Sequence, residues 1–399
     1  MAKIVLGVSS SIAIYKACDL IRALQKRNHE VQVVMTSKAT QFISPHLFQA
    51  LTAKPVLVNL FGEREAERLE HINLARQTEL LLIAPATANI IAKMATGIAD
   101  DFLSTFYLAV ECPVIVAPAM NEAMYLHPRT QANLAELYRQ GVVICEPEKG
   151  YLACGEEGWG RLAEIETIVD LAQKVLASRE KWKNKKILIT AGPTREPIDP
   201  VRFISNRSSG KMGYELAQEG RRRGAEVILI SGPTSLPSPY KVKVIRVETA
   251  NEMKREVEKY FDEVEVIIMA AAVADFRPAE VMNSKWKKTQ GVPEIKFVLT
   301  EDILGYLMVH PLRQEKIIVG FAAETENLEA EAKKKLKEKG LDLIVANNIS
   351  CPGIGFEADF NDVLILDRYG QQIHSGIKSK REISQLIFEA IEAYREKLT

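Results

Sequence analysis

Short apolar runs alternate with longer amphipathic stretches along the chain, which is the rhythm of a parallel, doubly wound sheet. In the first half the apolar runs predict strands at Lys3–Val8, Glu30–Met35, Leu80–Ala84, Val114–Ala117 and Val142–Cys145. Apolar residues at helical spacing predict the helices between and after them, over Ala13–Gln25, Ile90–Gly97, Thr130–Gln140 and Ile165–Leu176.

The same rhythm restarts in the second half. Its predicted strands are Ile187–Thr190, Val227–Ile230, Val242–Val247, Val264–Met269, Ile317–Phe321 and Leu343–Ala346. Its predicted helices are Lys211–Arg223, Asn251–Tyr260 and Asn327–Lys339. A charged stretch at Ser178–Lys186 separates the two series. We therefore predict two doubly wound α/β domains, residues 1–180 and 181–399.

Charge and composition exclude several classes of protein. The 399 residues carry 52 Lys+Arg against 52 Asp+Glu, and a count by halves gives 17 against 20 in residues 1–180, which leaves 35 against 32. A net charge of zero gives no electrostatic reason to bind nucleic acid or an anionic membrane. No apolar run approaches the roughly 20 residues that span a bilayer, and the chain begins on a strand pattern, so we expect a cytoplasmic protein.

The five cysteines and six histidines are scattered. No Cys-x-x-Cys pair occurs, and no two histidines stand three or four residues apart. The sequence therefore indicates neither a disulfide framework nor a structural metal site, and each of these residues has to be judged singly.

Hydroxyl-bearing and small residues follow the first three strands. Ser9, Ser10 and Ser11 follow strand one, and Thr36 and Ser37 follow strand two, which suits a phosphate held by hydroxyls and helix N-terminal amides. The Gly-x-Gly-x-x-Gly fingerprint is absent here, and the serines are equally typical of a helix N-cap. Strand three ends in Pro85, Ala86, Thr87 and Asn89, where small residues let a flat ring approach the backbone.

Three motifs together resemble the flavin-dependent cysteine decarboxylase family: Ala84–Asn89, His71-Ile72, and the Pro-x-Met-Asn-x-x-Met-aromatic pattern at Pro118–Tyr125. Over nearly its whole length, the chain resembles the bacterial bifunctional family of phosphopantothenoylcysteine decarboxylases/phosphopantothenate–cysteine ligases of coenzyme A biosynthesis. The resemblance implies a flavodoxin-like, trimeric FMN domain with active sites at subunit interfaces.

The same resemblance assigns roles in the first half. It makes His71 the active-site base, which suits an imidazole near neutral pH, and Cys154 the proton donor in a glycine-rich loop. Asn121 binds the substrate carboxylate, with Met120 and Met124 beside it. One position departs from the pattern, because Asp100 stands where the family commonly has Asn. Taken singly, a lone histidine or a loop thiol is usually structural.

In the second half, a long non-periodic segment follows strand one, at Ala191–Gly213. Such a loop inside a domain is usually functional. Ser209-Gly210-Lys211 is not a Walker A site, because Met212 replaces the required Ser or Thr, although the helix N-terminus there suits a phosphate. A lysine cluster at Lys285–Lys288 suits a triphosphate or is merely a solvated surface.

The resemblance implies a Rossmann-like ligase domain that uses CTP and Mg²⁺. Asn206 forms and holds the acyl-cytidylate, and Lys285 has a nucleotide-binding or catalytic role. The remaining nucleotide contacts fall on Met269, Ala270, Ala271, Asp275, Thr300, Glu301, Asp302, Ile303, Phe321, Lys335 and Lys339. Relatives have dimeric ligase halves, so trimeric decarboxylase domains imply a homododecamer.

The sequence leaves two alternative functions. One is a flavodoxin-like redox protein with an appended nucleotide-binding domain, and the other is a non-catalytic regulatory subunit. His71, Asn121 and Cys154 together favour the bifunctional enzyme over both.

Overall fold

The computed structural model describes residues 1–59, 70–151, 155, 157–324, 327–348, 355 and 357–398. The chain divides into two compact units, Met1–Glu180 and Lys181–Thr399. Within the described residues, no helix combines the length and the apolar character that crossing a membrane requires. Cys154 and Cys351 lie outside the described residues.

The first unit is built on a five-stranded parallel sheet in the order β2-β1-β3-β4-β5. Its strands are β1 (Lys3–Val8), β2 (Glu30–Met35), β3 (Leu80–Ala86), β4 (Val114–Pro118) and β5 (Val143–Ile144). Every residue of β3 is buried, as expected of a strand covered on both faces. A short antiparallel hairpin follows, made of β6 (Glu148–Tyr151) and β7 (Glu157–Arg161).

The helices of this unit bury their apolar faces against both sides of the sheet, in two separate clusters of core residues. They are α1 (Lys16–Lys26), α2 (Pro45–Thr52), α3 (Glu70–Gln77), α4 (Ala88–Thr96), α5 (Phe102–Ala109), α6 (Glu122–Leu126), α7 (Pro128–Arg139) and α8 (Ile165–Trp182). The helix predicted from Ala13 begins instead with a 3₁₀ turn, Ile12–Tyr15. The helix predicted to end at Leu176 continues to Trp182, so the charged stretch is helical from Ser178 to Trp182.

The second unit has an eight-stranded sheet in the order β12-β11-β8-β13-β16-β17-β18-β19. It is parallel through β17 and antiparallel over the last two strands. The strands are β8 (Lys186–Ala191), β11 (Glu226–Ser231), β12 (Lys243–Arg246), β13 (Val266–Met269), β16 (Ile317–Glu324), β17 (Leu343–Asn348), β18 (Phe360–Asp367) and β19 (Gln372–Ser379). Two small antiparallel pairs lie in its loops: β9 (Arg195–Pro197) with β10 (Phe203–Ser205), and β14 (Phe276–Pro278) with β15 (Phe297–Leu299).

Helices cover both faces of this second sheet. They are α9 (Lys211–Arg222), α10 (Ala250–Phe261), α11 (Ile303–Met308), α12 (Leu328–Glu338) and α13 (Lys380–Glu396). The doubly wound prediction is confirmed for the parallel part of both sheets. The antiparallel extension and α13 are additions that the parallel rhythm did not predict.

Asp342 joins several elements of the second unit at one buried carboxylate, which is 3% exposed. One carboxylate oxygen accepts hydrogen bonds from Arg313 (2.9 Å) and from the Ile318 amide (2.8 Å), and the other accepts from the Tyr394 hydroxyl (2.8 Å). Arg313 is itself 6% exposed. The carboxylate therefore neutralises a buried cation and links α13 to β16.

We predict that Asp342→Ala lowers the free energy of unfolding by about 3–5 kcal/mol, because it leaves the buried Arg313 guanidinium with backbone carbonyls but without its carboxylate partner. Equilibrium urea unfolding of the full chain measures the change. Asp262→Ala is the matched control, since that side chain is 68% exposed and should cost about 1 kcal/mol or less. Equal losses for the two variants would contradict the assignment.

Candidate active sites

A crevice in the first unit opens between β1 and β3, where the chain connections diverge to opposite sides of the sheet. Ser9 follows β1 and is 1% exposed. Its hydroxyl donates to the Pro85 carbonyl (2.8 Å) and accepts from the Thr87 amide (3.0 Å). Ser9 therefore links the ends of two adjacent strands and holds the loops on either side of the crevice.

A cavity of 760 Å³ lies at this strand edge, and we call it the flap cavity because the β6–β7 hairpin forms one wall. It gathers six of the predicted site residues, namely Ser10, Ser11, Thr87, Met120, Asn121 and Met124. Ile12 and Tyr15 also line it and are 61% and 59% exposed. Hydroxyls thus stand beside a largely apolar wall, which suits a ligand with a polar end and a flat ring.

Other predicted cofactor residues do not line the flap cavity. Pro85, Ala86 and Asn89 belong to β3 or the start of α4. Thr36 is buried after β2, and its hydroxyl has no hydrogen-bond partner within the part of the chain that the structure describes. Ser37 lines a separate cavity of 610 Å³.

Asn121 begins α6 as its N-cap. Its side-chain oxygen accepts from the Ala123 amide (2.9 Å), which satisfies a backbone donor at the first turn of the helix. This contact holds the side chain where it lines the flap cavity, so the residue predicted to bind the substrate also caps a helix.

The β6–β7 hairpin is fastened to the loop that carries Asn121. The Met120 amide donates to the Gly160 carbonyl (3.0 Å), and the Trp159 amide donates to the Glu122 carboxylate (2.8 Å). Gly160 has φ +113°, and an added Cβ would lie 2.3 Å from the Met120 carbonyl oxygen. Only glycine fits this close approach. The predicted proton donor Cys154 belongs to this segment but lies outside the described residues.

His71 stands in the first turn of α3, and its ring meets Phe102 edge-on at 6.3 Å between centroids. Its Nδ1 atom is buried and has no hydrogen-bond partner among the residues that the structure describes. A buried imidazole nitrogen without a partner is costly unless a bound ligand makes a hydrogen bond with it. His71 does not line the flap cavity.

Asp100, which stands where the family commonly has Asn, is paired with a lysine. The Lys93 ammonium lies 2.6 Å from Asp100 and 2.7 Å from Asp101. The hydrogen bond from Lys93 lowers the pKa of Asp100, which keeps this carboxylate charged. Asp101 also caps α5 in a reciprocal pair of contacts with Ser104. Lys93 therefore neutralises the negative charge of Asp100. This ion pair precedes Phe102, the residue that contacts the His71 ring.

The second unit opens its crevice between β8 and β13, at the corresponding divergence of connections. Thr190, fully buried at the end of β8, accepts a hydrogen bond from the Ala271 amide (3.1 Å). A cavity of 760 Å³ lies here, which we call the central cavity. It brings together Asn206, Met269, Ala270, Ala271, Asp275, Thr300, Glu301, Asp302, Ile303, Phe321, Lys335 and Lys339.

Asn206 is held against the loop after β13. Its side-chain amide donates to the Ala272 carbonyl (3.1 Å) and to the Val273 carbonyl (3.0 Å). Thr300 closes the same loop by donating to the Ala274 carbonyl (2.7 Å). Lys285 does not line the central cavity, and it is exposed in the segment between β14 and β15.

One of the two lysines predicted to contact the nucleotide already has a carboxylate partner. The Lys339 ammonium is paired with Asp302, the N-cap of α11. Lys335 and Lys339 both line the central cavity near the end of α12. The carboxylate of Asp302 thus holds one cation in place beside the cavity.

A larger cavity of 1100 Å³ adjoins the central one, and we call it the lateral cavity. Its cations are Arg195, Arg207, Lys211 and Arg246. The Arg195 guanidinium lies over the Phe203 ring, 4.5 Å from its centroid, and is thereby oriented. Four residues line both cavities: Asn206, Arg207, Ser208 and Lys211. We call this shared strip the junction.

Lys380 lines the central cavity and was not singled out by its sequence. It is the first residue of α13 and is 4% exposed. Its ammonium donates to the Gly355 carbonyl (3.0 Å). Burial, followed by the positive charge of Lys211, lowers the pKa of Lys380 to about 8, while Asp359 opposes the shift. The capping box at Ser379 and Glu382 signals the helix start, but only the fold turns the lysine toward the cavity.

Neither unit shows a preformed metal site in its described portion, where no three His, Cys, Asp or Glu side chains cluster closely enough to hold an ion.

We predict that Gly160→Ala releases the hairpin from the Met120 loop, because the added Cβ cannot coexist with the Met120 carbonyl. Hydrogen exchange of the Met120 amide, followed by mass spectrometry, should accelerate by about tenfold or more as its hydrogen bond is lost. Gly155→Ala is the control, since no described heavy atom lies within 4 Å of the added Cβ. Unchanged protection at Met120 in the Gly160 variant would contradict the fastening role.

Comparison with known proteins identifies relatives of both units. Residues 1–177 match the Flavoprotein family, and residues 182–394 match the DNA/pantothenate metabolism flavoprotein C-terminal domain. A solved C-terminal domain of the coenzyme A biosynthesis bifunctional protein CoaBC is 41% identical, covers 54% of this chain and 97% of its own, and has a TM-score of 0.46. The FMN-dependent cysteine decarboxylase SpaF is 30% identical, covers 44% of this chain and 98% of its own, and has a TM-score of 0.39.

Among the relatives that match along almost the entire chain are two bacterial proteins. The coenzyme A biosynthesis bifunctional protein CoaBC of Bacillus subtilis is 46% identical over 393 residues, which are 98% of this chain and 96% of the relative. Its counterpart in Escherichia coli K12 is 44% identical over 400 residues, 99% of this chain and 98% of the relative. The resemblance seen in the motifs is thereby confirmed, and the chain belongs to the family of bifunctional coenzyme A biosynthesis proteins.

Proposed function

We propose that the second unit ligates L-cysteine to 4′-phosphopantothenate with CTP, and that the first unit decarboxylates the resulting 4′-phosphopantothenoylcysteine to 4′-phosphopantetheine. The observation that carries this proposal is the pairing of full-length family membership with one strand-edge cavity in each unit. The central cavity gathers nearly all of the residues predicted for the ligase half. The flap cavity gathers Asn121, Met120 and Met124 with three of the predicted cofactor residues, and His71 does not line it.

FMN is the cofactor proposed for the first unit, in keeping with its Flavoprotein family. The residues fit such a group: Ser10, Ser11 and Thr87 offer hydroxyls for a phosphate, and Ile12 and Tyr15 offer apolar surface for a ring. Flavin supplies a reversible acceptor for a hydride, so that oxidation of the cysteine moiety makes loss of CO₂ possible and reduction restores the product.

The chain's own residues then bind substrate and move protons. His71 Nδ1 accepts the proton released when the cysteine moiety is oxidised, since this buried nitrogen has no partner in the described structure. Asn121, with Met120 and Met124 beside it, positions the substrate carboxylate at the cavity mouth. Cys154 returns a proton after decarboxylation, from the segment that joins the two strands of the fastened hairpin.

In the ligase unit, the central cavity takes the nucleotide. The Met269–Ala271 backbone and Asp275 suit a base and ribose, while Lys335 and Lys339 suit the triphosphate, which enters as its Mg²⁺ complex. The lateral cavity takes 4′-phosphopantothenate, whose phosphate is matched by Arg195 and Arg246 and whose carboxylate reaches the junction at Asn206. Lys285 is proposed to contribute to the nucleotide site in the assembled enzyme.

We also propose a cytoplasmic homo-oligomer, a dodecamer of trimeric decarboxylase and dimeric ligase domains. Large apolar side chains around the flap cavity support an interface there, since Tyr151 is 79% and Met124 49% exposed in the single chain.

Complementary variants test the division of labour. Asn206→Asp replaces an amide that donates to two carbonyls by a carboxylate that repels them, so cysteine ligation should fall by about 100-fold or more. It should leave CO₂ release from supplied phosphopantothenoylcysteine unchanged. His71→Asn should lower CO₂ release and leave cysteine ligation unchanged. Parallel assays of CMP and CO₂ measure both. A flavodoxin-like electron carrier would release neither product, and a shared loss in both variants would contradict separate sites.

The affinity for CTP should fall as pH rises from 7 to 9. Lys380, with its pKa lowered to about 8, is charged below that pH and loses its charge above it, while the hydrogen bond from Lys211 lowers the pKa of Asp359 and keeps that carboxylate charged. Because a bound triphosphate favours the charged form, Kd should increase by about tenfold across this range. Calorimetric titration measures Kd, and Lys380→Met should flatten the dependence. A Kd for CTP that stays constant from pH 7 to 9 in the wild-type enzyme would contradict this prediction.

A further inference from the structure

Lys211 occupies the junction between the two cavities of the second unit, although the loss of the Walker A pattern gave it no role. It is the first residue of α9 and lines both the central and the lateral cavity. The only other cation that the two cavities share, within the described residues, is Arg207, which is exposed.

The Lys211 ammonium is fixed in direction. It donates to the Asp359 carboxylate (2.7 Å) and to the Glu357 carbonyl (3.1 Å), and its side chain is 34% exposed. An ammonium has three N–H donors, so these two contacts, the ones it makes within the described residues, leave a third donor for a ligand at the junction.

Asp359 is in turn held by α13. The Lys380 amide donates to the Asp359 carbonyl (3.0 Å), at the first turn of that helix. The hydrogen bond from Lys211 lowers the pKa of Asp359, so the carboxylate stays charged. A chain of contacts therefore runs from α13 through Asp359 to the ammonium at the junction.

The first half-reaction of the proposed ligase needs a cation and needs no base. A carboxylate oxygen of 4′-phosphopantothenate forms a bond to the α-phosphorus of CTP, the bond from that phosphorus to the bridging oxygen breaks, and pyrophosphate leaves with the electron pair. The carboxylate is already ionised near neutral pH, so no proton is transferred. The obstacle is the repulsion between two anions, which a fixed positive charge between them reduces.

We propose that Lys211 is a catalytic residue of this nucleotidyl transfer, contacting the attacking carboxylate and the α-phosphate where the two cavities meet, and that Asp359 positions it. This inference rests on the proposed ligase function. It gives the sequence Ser209-Gly210-Lys211 a role in phosphate chemistry that does not require a P-loop.

The test compares Lys211→Gln, Lys211→Arg and Asp359→Asn in the full chain. Lys211→Gln should lower kcat for CTP-dependent acyl-cytidylate formation by about 100-fold or more, while the Kd for CTP changes by less than about threefold. Lys211→Arg should restore part of the rate, because it keeps the charge. Asp359→Asn should lower the same kcat by about tenfold or less. In the double variant with Lys211→Gln, kcat should be no lower than in Lys211→Gln alone. Lys378→Gln, a lysine of β19 outside both cavities, should behave as wild type.

The outcomes separate the inference from the function on which it rests. Wild-type kcat in Lys211→Gln would overturn the inference, and so would equal losses in Lys211→Gln and Asp359→Asn accompanied by weaker CTP binding, since these would indicate a purely structural ion pair. Failure of the wild-type enzyme to release CMP from CTP would instead overturn the proposed ligase function.

Discussion

The flap cavity and the central cavity each depend on a buried hydroxyl. In each unit this hydroxyl links the ends of two neighbouring strands at the point where the chain connections diverge. In the first unit Ser9 joins the end of β1 to the loop after β3. In the second unit Thr190 joins the end of β8 to the loop after β13. A parallel sheet leaves its loops unpaired at this edge, and each hydroxyl satisfies a loop amide that would otherwise face the crevice.

The walls built on these edges differ in chemistry. The flap cavity combines a few hydroxyls with exposed apolar side chains, whereas the cavities of the second unit carry arginines and lysines whose directions are set by partners. Asp302 holds Lys339 and Asp359 holds Lys211. Paired cations of this kind are oriented before an anionic ligand arrives, which lowers the reorganisation that binding requires.

Most of the fold was predictable because its strands are continuous apolar runs. Such runs signal strands buried on both faces, and residues that follow them necessarily meet at one sheet edge. The hairpin of β18 and β19 escaped prediction because its pairing depends on the edge left open by β17, which no local pattern reveals. The extension of α8 through charged residues also depends on a contact with a distant part of the chain, because Trp182 is fully buried and packs against Phe388.

The site residues were predictable only in part. Residues close behind a strand, such as Asn121 and Asp275, line cavities as expected, because their position is fixed by the strand. Thr36 and Lys285 line neither the flap cavity nor the central cavity, and Ser37 lines a separate one, since a hydroxyl or a charge on a loop does not indicate which cavity the loop faces. Lys380 reaches the central cavity from a helix more than a hundred residues beyond the motif at Asn206, a proximity that only tertiary packing creates.

The central claim is that a carboxylate meets the α-phosphorus of a nucleotide at the junction of two cavities. Wild-type enzyme supplied with CTP, cysteine and 4′-phosphopantothenate labelled with oxygen-18 in its carboxylate tests this directly by mass spectrometry of the released products. Attack at the α-phosphorus leaves one labelled oxygen on CMP after cysteine displaces it from the acyl group. Label on CMP is the result predicted here, and label on pyrophosphate or orthophosphate with unlabelled CMP would contradict it.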